Sequence, residues 1–334
     1  MSSIRWGLVG TSDFALEWIA PALSRAEGST LAAIISRDAS RATAAAARVG
    51  AAHAFSSIES ADTNLVDGLV LVTPNSAHAA GAIAALGRGL HVIVEKPMAH
   101  SVAECEQMIA AAKASGTMLA VAHCMEWAPP VVAAREFLVS GALGNVRSAR
   151  IGASFLAEPG SLRRDGVAPA TGDAAGFGAL YDMGVHAIDT ITRLLGPVAH
   201  VHSVRTDSGD GDAVAELELA SGVSVHLSSR WSADENYFEI LGGGGVLRSS
   251  EWWGRDFAGH LELERNGVTE QIALHQANVY DAQFTHLSAA VADGSQPSSS
   301  SGRGAANIAV IEAIVRSART GNPAPVPASP RRLG

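Results

Sequence analysis

The sequence predicts an α/β protein with two domains: a parallel sheet over residues 1–123, and an α+β domain with a large, mainly antiparallel sheet over residues 124–334. Short, continuous apolar runs alternate with helix-spaced segments up to His123, which is typical of a parallel sheet covered on both faces. Beyond His123, strand-like runs are separated by turns such as Asn266-Gly267, which favour antiparallel neighbours.

In the first domain, the predicted strands are Ile4–Val9, Leu31–Ile35, Gly68–Val72, Leu90–Val94 and Met118–Ala122. The predicted helices between them are Phe14–Leu23, Ser40–Val49, Ala77–Leu86 and Val102–Ala114, the last with a capping box from Ser101 to Glu104. This strict alternation predicts a doubly wound Rossmann domain.

In the second domain, helices are predicted at Pro130–Leu138, Tyr181–Leu195, Tyr280–Ala292 and Gly304–Thr320. Strands are predicted at Val146–Phe155, Val198–Arg205, Asp212–Leu219, Val223–Arg230, Tyr237–Leu241, Gly245–Ser249 and His260–Arg265. The Gly/Pro-rich stretch Glu158–Gly178 has little periodicity and is expected to be a loop over the cleft.

Composition excludes several classes of protein. A net charge of −9 without a basic block argues against a nucleic-acid partner. No apolar run reaches the ~18 residues of a membrane span, and a strand at Ile4 leaves no room for a signal peptide, so a cytoplasmic location is expected. Cys105 and Cys124 make no disulfide framework, and the cysteines and histidines lack metal-ligand spacing, so no metal site is expected.

The turn after the first strand, Gly10-Thr11-Ser12-Asp13-Phe14-Ala15, is a degenerate dinucleotide fingerprint. Gly10 and Ala15 fit the pattern, and Ser12 replaces the middle glycine with a residue small enough for a pyrophosphate to approach the helix N-terminus. The alternative is an ordinary strand-to-helix turn.

The end of the second strand indicates which nucleotide is bound. Ser36-Arg37 with Arg41 one helical turn on suits a 2′-phosphate, whereas NAD enzymes commonly place an acid there. Asp38 is expected to cap the following helix instead. NADP is therefore favoured over NAD, with solvated surface arginines as the alternative.

Two further strand ends carry polar residues. After the third strand come Thr73, Pro74, Asn75 and His78, for which a cofactor contact and a purely structural role remain open. After the fourth come Glu95, Lys96 and a proline, a charged pair that is hard to explain as core. Ligands of open α/β sheets bind beyond the carboxyl ends of the strands.

In order along the chain, the Gly10–Ala15 turn, Thr73-Pro74-Asn75…His78, Glu95-Lys96-Pro97 and Gly178-Ala-Leu-Tyr-Asp182-Met-Gly-Val-His186 resemble the Gfo/Idh/MocA family (glucose–fructose oxidoreductase, inositol dehydrogenase, rhizopine catabolism). The similarity covers essentially the whole chain. Within the family, the Gly10 turn and the Ser36…Arg41 pair are most similar to the 1,5-anhydro-D-fructose reductase branch.

The resemblance implies an NAD(P)-dependent oxidoreductase acting on a sugar, cyclitol or related polyol, with Lys96, Asp182 and His186 as catalytic residues. Asp182 and His186 are four apart on a predicted helix and so face the same way. His186 can act as general acid/base, Lys96 can stabilise charge on the substrate oxygen, and Asp182 can orient either group or bind a hydroxyl. A cofactor-recycling, glycosidase-like enzyme and a non-catalytic nucleotide-sensing regulator are the alternatives.

One position departs from the family pattern. Glu126 stands where arginine is frequent, which puts borrowed substrate specificity in doubt. His123 lines the cofactor site or belongs to the core. A homodimer or homotetramer is expected through an exposed sheet face carrying Val225, Leu227 and Trp231.

Overall fold

The computed structural model describes residues 3–156, 174, 176–206 and 211–327. Two compact units make up the chain: Met1–His123 with Tyr280–Ala305, and Cys124–Val279 with Ala306–Gly334. The predicted loop Glu158–Gly178 falls largely outside the described residues. Within the described residues, no helix has the length and apolarity to cross a membrane.

The first unit is built on six parallel strands in the order β3-β2-β1-β4-β5-β6. Their bounds are β1 Ile4–Val9, β2 Ser29–Ile35, β3 His53–Phe55, β4 Gly68–Leu71, β5 His91–Glu95 and β6 Leu119–Ala122. The helices are α1 Ala20–Arg25, α2 Ala39–Val49, α3 His78–Leu86 and α4 Val102–Ser115. The predicted parallel sheet is confirmed, and β3 is an additional short strand.

Local signals fix several helix ends in this unit. The Ser101 side chain accepts the backbone N–H of Glu104, and the Glu104 side chain accepts the backbone N–H of Ser101. The predicted capping box therefore begins α4. Asp38 caps α2 through the backbone N–H of Arg41, as expected from its position after the strand.

The second unit carries a nine-stranded sheet. After α5 Pro129–Val139 and β7 Val146–Ser154 comes α6 Val185–Leu195. The strands that follow are β8 Val198–Thr206, β9 Ala213–Leu219, β10 Ser224–Arg230, β11 Asn236–Gly242, β12 Gly245–Glu251, β13 Asp256–Phe257, β14 His260–Arg265, β15 Val268–Gln271 and β16 Ala277–Asn278. The sheet order is β15-β14-β12-β11-β7-β10-β9-β8-β17, where β17 is Ala324–Pro325. Among these described strands, β7 and β10 pair in parallel and the other neighbours are antiparallel.

Two long helices close the chain, α7 Val279–Asp293 and α8 Ser301–Thr320. The segment Tyr280–Ala305 groups with the first unit, although residues 124–334 were expected to form one domain. Two contacts explain this grouping. The Trp6 indole N–H donates to Ser288 Oγ at 3.0 Å, and Arg25 pairs with Asp281 at 2.7 Å.

The open face of the nine-stranded sheet is polar, which corrects the predicted apolar face. Val225 and Leu227 are fully buried and Trp231 is 8% exposed. Side chains alternate along a strand, so the neighbouring outward positions carry charge instead. Residues directly opposite one another across six strands form a row of ionisable groups: Glu216, His226, Arg150, Glu239, Arg248 and Glu262.

Candidate active site

The turn after β1 is shaped for close backbone approach. Gly10 has φ +129°, and a Cβ there would clash with the carbonyl oxygen of Val72. Half-buried Thr11 follows, and Ser12 Oγ accepts the backbone N–H of Ala15 at 3.2 Å. The next residues form a π-helical turn, Ala15–Ile19. Free N–H groups at such a helix start favour an anion.

Phe14 belongs to an aromatic cluster within the first unit. Its ring centroid lies 5.7 Å from that of Trp18 and 6.0 Å from that of Tyr280, while Trp18 and Tyr280 are 6.2 Å apart. Two of the three contacts are edge-on, the arrangement that aromatic rings favour. Phe14 therefore anchors the turn to α7. The local sequence does not indicate this role, because the partner ring, Tyr280, lies far along the chain.

A cationic corner follows β2. Ser36 is half-buried, while Arg37 and Arg41 are exposed. Arg41 lies 3.7 Å from Asp38, and both side chains are more than half exposed, so this ion pair is weak. The corner as a whole carries two guanidinium groups against one carboxylate.

The segment after β4 is tied to the turn that carries Lys96. His78 is buried, with Nδ1 2.9 Å from the Pro97 carbonyl oxygen and Nε2 3.0 Å from that of Thr73. Burial lowers the pKa of His78 to about 4, so the ring is neutral and donates to one of these carbonyls. Both ring nitrogens face backbone, so His78 positions this turn, while Pro74 and Asn75 begin a short 3₁₀ turn.

Glu95 and Lys96 end the neighbouring strand β5. Burial raises the pKa of Glu95 to about 7, with the Lys96 charge opposing the shift. Glu95 Oε2 accepts the Lys96 backbone N–H at 3.2 Å, and the Lys96 side chain is half-buried. His123, directly after β6, is 1% exposed.

This edge of the sheet fits a dinucleotide. Glu95 Oε1 and Thr73 Oγ1 are buried and have no hydrogen-bond partner among the described residues, although they lie at the carboxyl ends of adjacent strands. Buried polar atoms of this kind call for a partner. Together with the Gly10 turn, they leave polar groups where an open parallel sheet holds a nucleotide.

Asp182 and His186 lie in the second unit on one continuous helical segment. Asp182 belongs to a π-helical turn, Leu180–Gly184, and His186 to the first turn of α6. Both are buried, 8% and 4% exposed. π-Turns are rare and occur frequently at functional sites. Sequence spacing predicted the shared helix but not this widened turn.

Two tryptophans beside this pair were not predicted as site residues. The Trp231 indole N–H donates to Asp182 Oδ2 at 3.3 Å. The Trp253 ring meets that of His186 edge-on at 6.3 Å, and its buried indole N–H has no acceptor among the described residues. Neither contact has a local sequence signal.

Two buried polar contacts hold α6 itself. The Asp189 carboxylate accepts from the Asn307 side chain at 2.8 Å, and both residues are 1% exposed. Arg193 pairs with Glu126 at 3.0 Å. Glu126 stands where arginine is frequent in the family, which raised doubt about substrate specificity. In the structure it pairs with a residue of α6.

A parallel sheet with a glycine turn after its first strand, and polar groups at its carboxyl edge, is typical of a nucleotide-binding enzyme. Residues 4–123 match the family described as "Oxidoreductase family, NAD-binding Rossmann fold", and residues 131–248 match the "GFO/IDH/MocA C-terminal domain". The chain belongs to the Gfo/Idh/MocA family of NAD(P)-binding oxidoreductases.

Relatives of known activity span most of the chain. A 1,5-anhydro-D-fructose reductase of Ensifer adhaerens is 27% identical over 96% of this chain and 98% of its own. scyllo-Inositol 2-dehydrogenase (NADP(+)) IolU of Bacillus subtilis is 31% identical over 73% of this chain and 75% of its own. The crystal structure of aldose-aldose oxidoreductase from Caulobacter crescentus, complexed with glycerol, superposes with a TM-score of 0.85, 26% identity and coverage of 97% and 99%.

Proposed function

We propose that this enzyme transfers a hydride between NADP(H) and a CH–OH or carbonyl group of a sugar, cyclitol or related polyol. The observation that carries the proposal is the turn after β5, where Lys96 is held by a buried neighbour, Glu95, and by the His78 tie to Pro97. A lysine whose backbone is held in this way is suited to stabilise charge at one fixed position. The relatives named above act on substrates of this class.

NADP is favoured by charge at the end of β2. Arg37 and Arg41 outnumber Asp38, and the exposed Arg41–Asp38 pair is weak enough for a phosphate to compete for the guanidinium. The Ser36 hydroxyl adds a neutral donor beside them. An acid that accepted the ribose 2′-hydroxyl would have favoured NAD, but Asp38 is engaged as the cap of α2.

The proposed chemistry uses Lys96, Asp182 and His186. When bound, the nicotinamide supplies or accepts the hydride. In the reducing direction, His186 gives a proton to the substrate oxygen while the Lys96 ammonium stabilises the negative charge developing on it. In the oxidising direction, His186 takes that proton back. Asp182 orients His186 or binds a neighbouring hydroxyl.

The cofactor assignment is tested by titrating the protein with NADPH and NADH while following nicotinamide fluorescence. We expect tighter binding of NADPH, and at least a tenfold rise of its Kd in the Arg37→Ala/Arg41→Ala variant with little change for NADH. Arg48→Ala is the matched control, because this arginine lies on the last turn of the same helix and pairs with Glu17. Preference for NADH would refute the phosphate pocket.

The catalytic assignment is tested by NADPH oxidation with 1,5-anhydro-D-fructose, ketoses and sugar lactones, and by NADP⁺ reduction with polyols. Lys96→Ala and His186→Asn should each lower kcat at least a hundredfold while NADPH still binds. Retained activity in both variants would refute the proposed roles. Tightly held, non-exchanging NAD with elimination chemistry would favour the cofactor-recycling alternative.

Assembly into dimers or tetramers stays a prediction. If it uses the second-unit sheet, the contacts must involve its charged row rather than Val225 or Leu227, which are buried within the chain. Light scattering coupled to size exclusion measures the state, and loss of assembly in Arg150→Glu would assign it to this face.

A further inference from the structure

The π-helical turn that carries Asp182 is seated on the end of β10. Ser229 Oγ donates to the Ala179 carbonyl at 2.7 Å. A Cβ on Gly184 would lie 3.1 Å from Ser229 Oγ. The Trp231 ring covers Gly178 so closely that a Cβ there would overlap it. The turn is therefore fixed from one side by residues at the end of a single strand.

Trp231 also reaches the functional group on that turn. Its indole N–H donates to Asp182 Oδ2 at 3.3 Å, and both residues are buried. An indole N–H can only donate, so the contact holds Asp182 Oδ2 as its acceptor and limits the rotation of the carboxyl group.

Trp231 is in turn held by Asp212, a buried carboxylate at the start of the β9 region. Asp212 Oδ1 accepts the Trp231 backbone N–H at 2.7 Å, and its Oδ2 accepts the Ser232 hydroxyl. Hydrogen bonds thus hold Trp231 both at its backbone N–H and at its indole N–H. A buried indole N–H needs an acceptor, and that of Trp231 uses the Asp182 carboxylate.

We propose that Trp231 is a positioning residue for Asp182: its indole N–H fixes the orientation of the carboxylate that works with His186, and Asp212 fixes Trp231. This inference rests on the proposed function, in which Asp182 takes part in the reaction. Trp231 touches neither substrate nor cofactor in this scheme, and its effect passes through Asp182.

The test is a double-mutant cycle on the intact enzyme. Trp231→Phe keeps an aromatic ring and removes the donor, and it should lower kcat about tenfold while changing KM less than twofold, the size expected for a hydrogen bond to a charged group. In the Asp182→Asn background, Trp231→Phe should have no further effect, because the carboxylate it orients is gone.

Trp252→Phe is the matched control. Trp252 is fully buried, and its indole N–H donates to the Gly152 carbonyl at 3.0 Å, so the same chemical change is made away from Asp182. We expect kcat and KM to stay within twofold in this variant. If Trp231→Phe does not fold, 3-benzothienylalanine at position 231 removes the donor while keeping the two-ring shape.

Two outcomes overturn the inference: an unchanged kcat in the variant lacking the donor, or an equal loss in the wild-type and Asp182→Asn backgrounds. Failure of the proposed function looks different. In that case Asp182→Asn, Lys96→Ala and His186→Asn retain activity, whatever Trp231→Phe does.

Discussion

Glu95 makes the stability of the ligand-free enzyme depend on pH in a direction that the structure fixes. Burial raises its pKa from 4.5 to about 7 in the folded chain. Between these values the folded chain keeps a proton that the unfolded chain releases, so the free energy of unfolding falls as pH rises. Each tenfold change in a proton dissociation constant is worth about 1.4 kcal/mol, so the loss amounts to about 3 kcal/mol and is complete above pH 7.

Glu95→Gln removes the charge and keeps an oxygen for the Lys96 N–H. Relative to wild type, the variant should therefore gain about 3 kcal/mol in free energy of unfolding between pH 4.5 and 8. Urea unfolding followed by circular dichroism at several pH values measures this difference. His78 changes stability in the opposite direction, because burial lowers its pKa to about 4, but it is present in both proteins and cancels.

Glu106→Gln is the control for Glu95→Gln, since Glu106 is exposed on α4 of the same unit and undergoes the same chemical change. The reasoning is refuted if wild type and Glu95→Gln lose or gain stability in parallel across this pH range.

Three further changes have defined outcomes. Gly10→Ala should raise the Kd for NADPH more than tenfold in a fluorescence titration, because its Cβ would clash with the backbone of the strand β4 region; unchanged binding would contradict the shape assigned to the turn. Arg193→Met should cost about 3 kcal/mol in urea unfolding by removing the cation that pairs with the buried Glu126 carboxylate, and the double variant with Glu126→Gln should recover most of it. Trp253→Phe should raise the substrate KM about tenfold through loss of a buried N–H donor beside His186, and a KM equal to that of wild type would assign the indole to packing alone.

Features with a local chemical cause were predictable from the sequence. The capping box at Ser101 and Glu104 uses contacts within one helical turn, and α4 begins where it was placed. The parallel sheet was predicted from apolar runs that alternate with helices, a pattern that can be recognised without knowing which strands pair. Asp38 was separated from the phosphate-binding candidates for the same reason, since its cap lies three residues away.

Features that depend on distant partners were not predictable. The Trp231–Asp182 hydrogen bond joins residues 49 apart, and nothing in the local pattern of either indicates it. Val225 and Leu227 were placed on the wrong face because apolar character alone does not say which side of a sheet is covered. For His78 the sequence left a cofactor contact and a structural role open, and its ring nitrogens face two backbone carbonyls that only the fold brings together.

The return of Tyr280–Ala305 to the first unit has a consequence for how the chain is made. A ribosome that has released residues 1–123 has synthesised all six parallel strands, but not Ser288 for the Trp6 indole, nor Tyr280 for the ring of Phe14. Nearly the whole second unit leaves the exit tunnel before these partners arrive. The first unit therefore waits for residues 280–305, which are synthesised only after most of the second unit, and until then its Trp6 and Phe14 lack these two contacts.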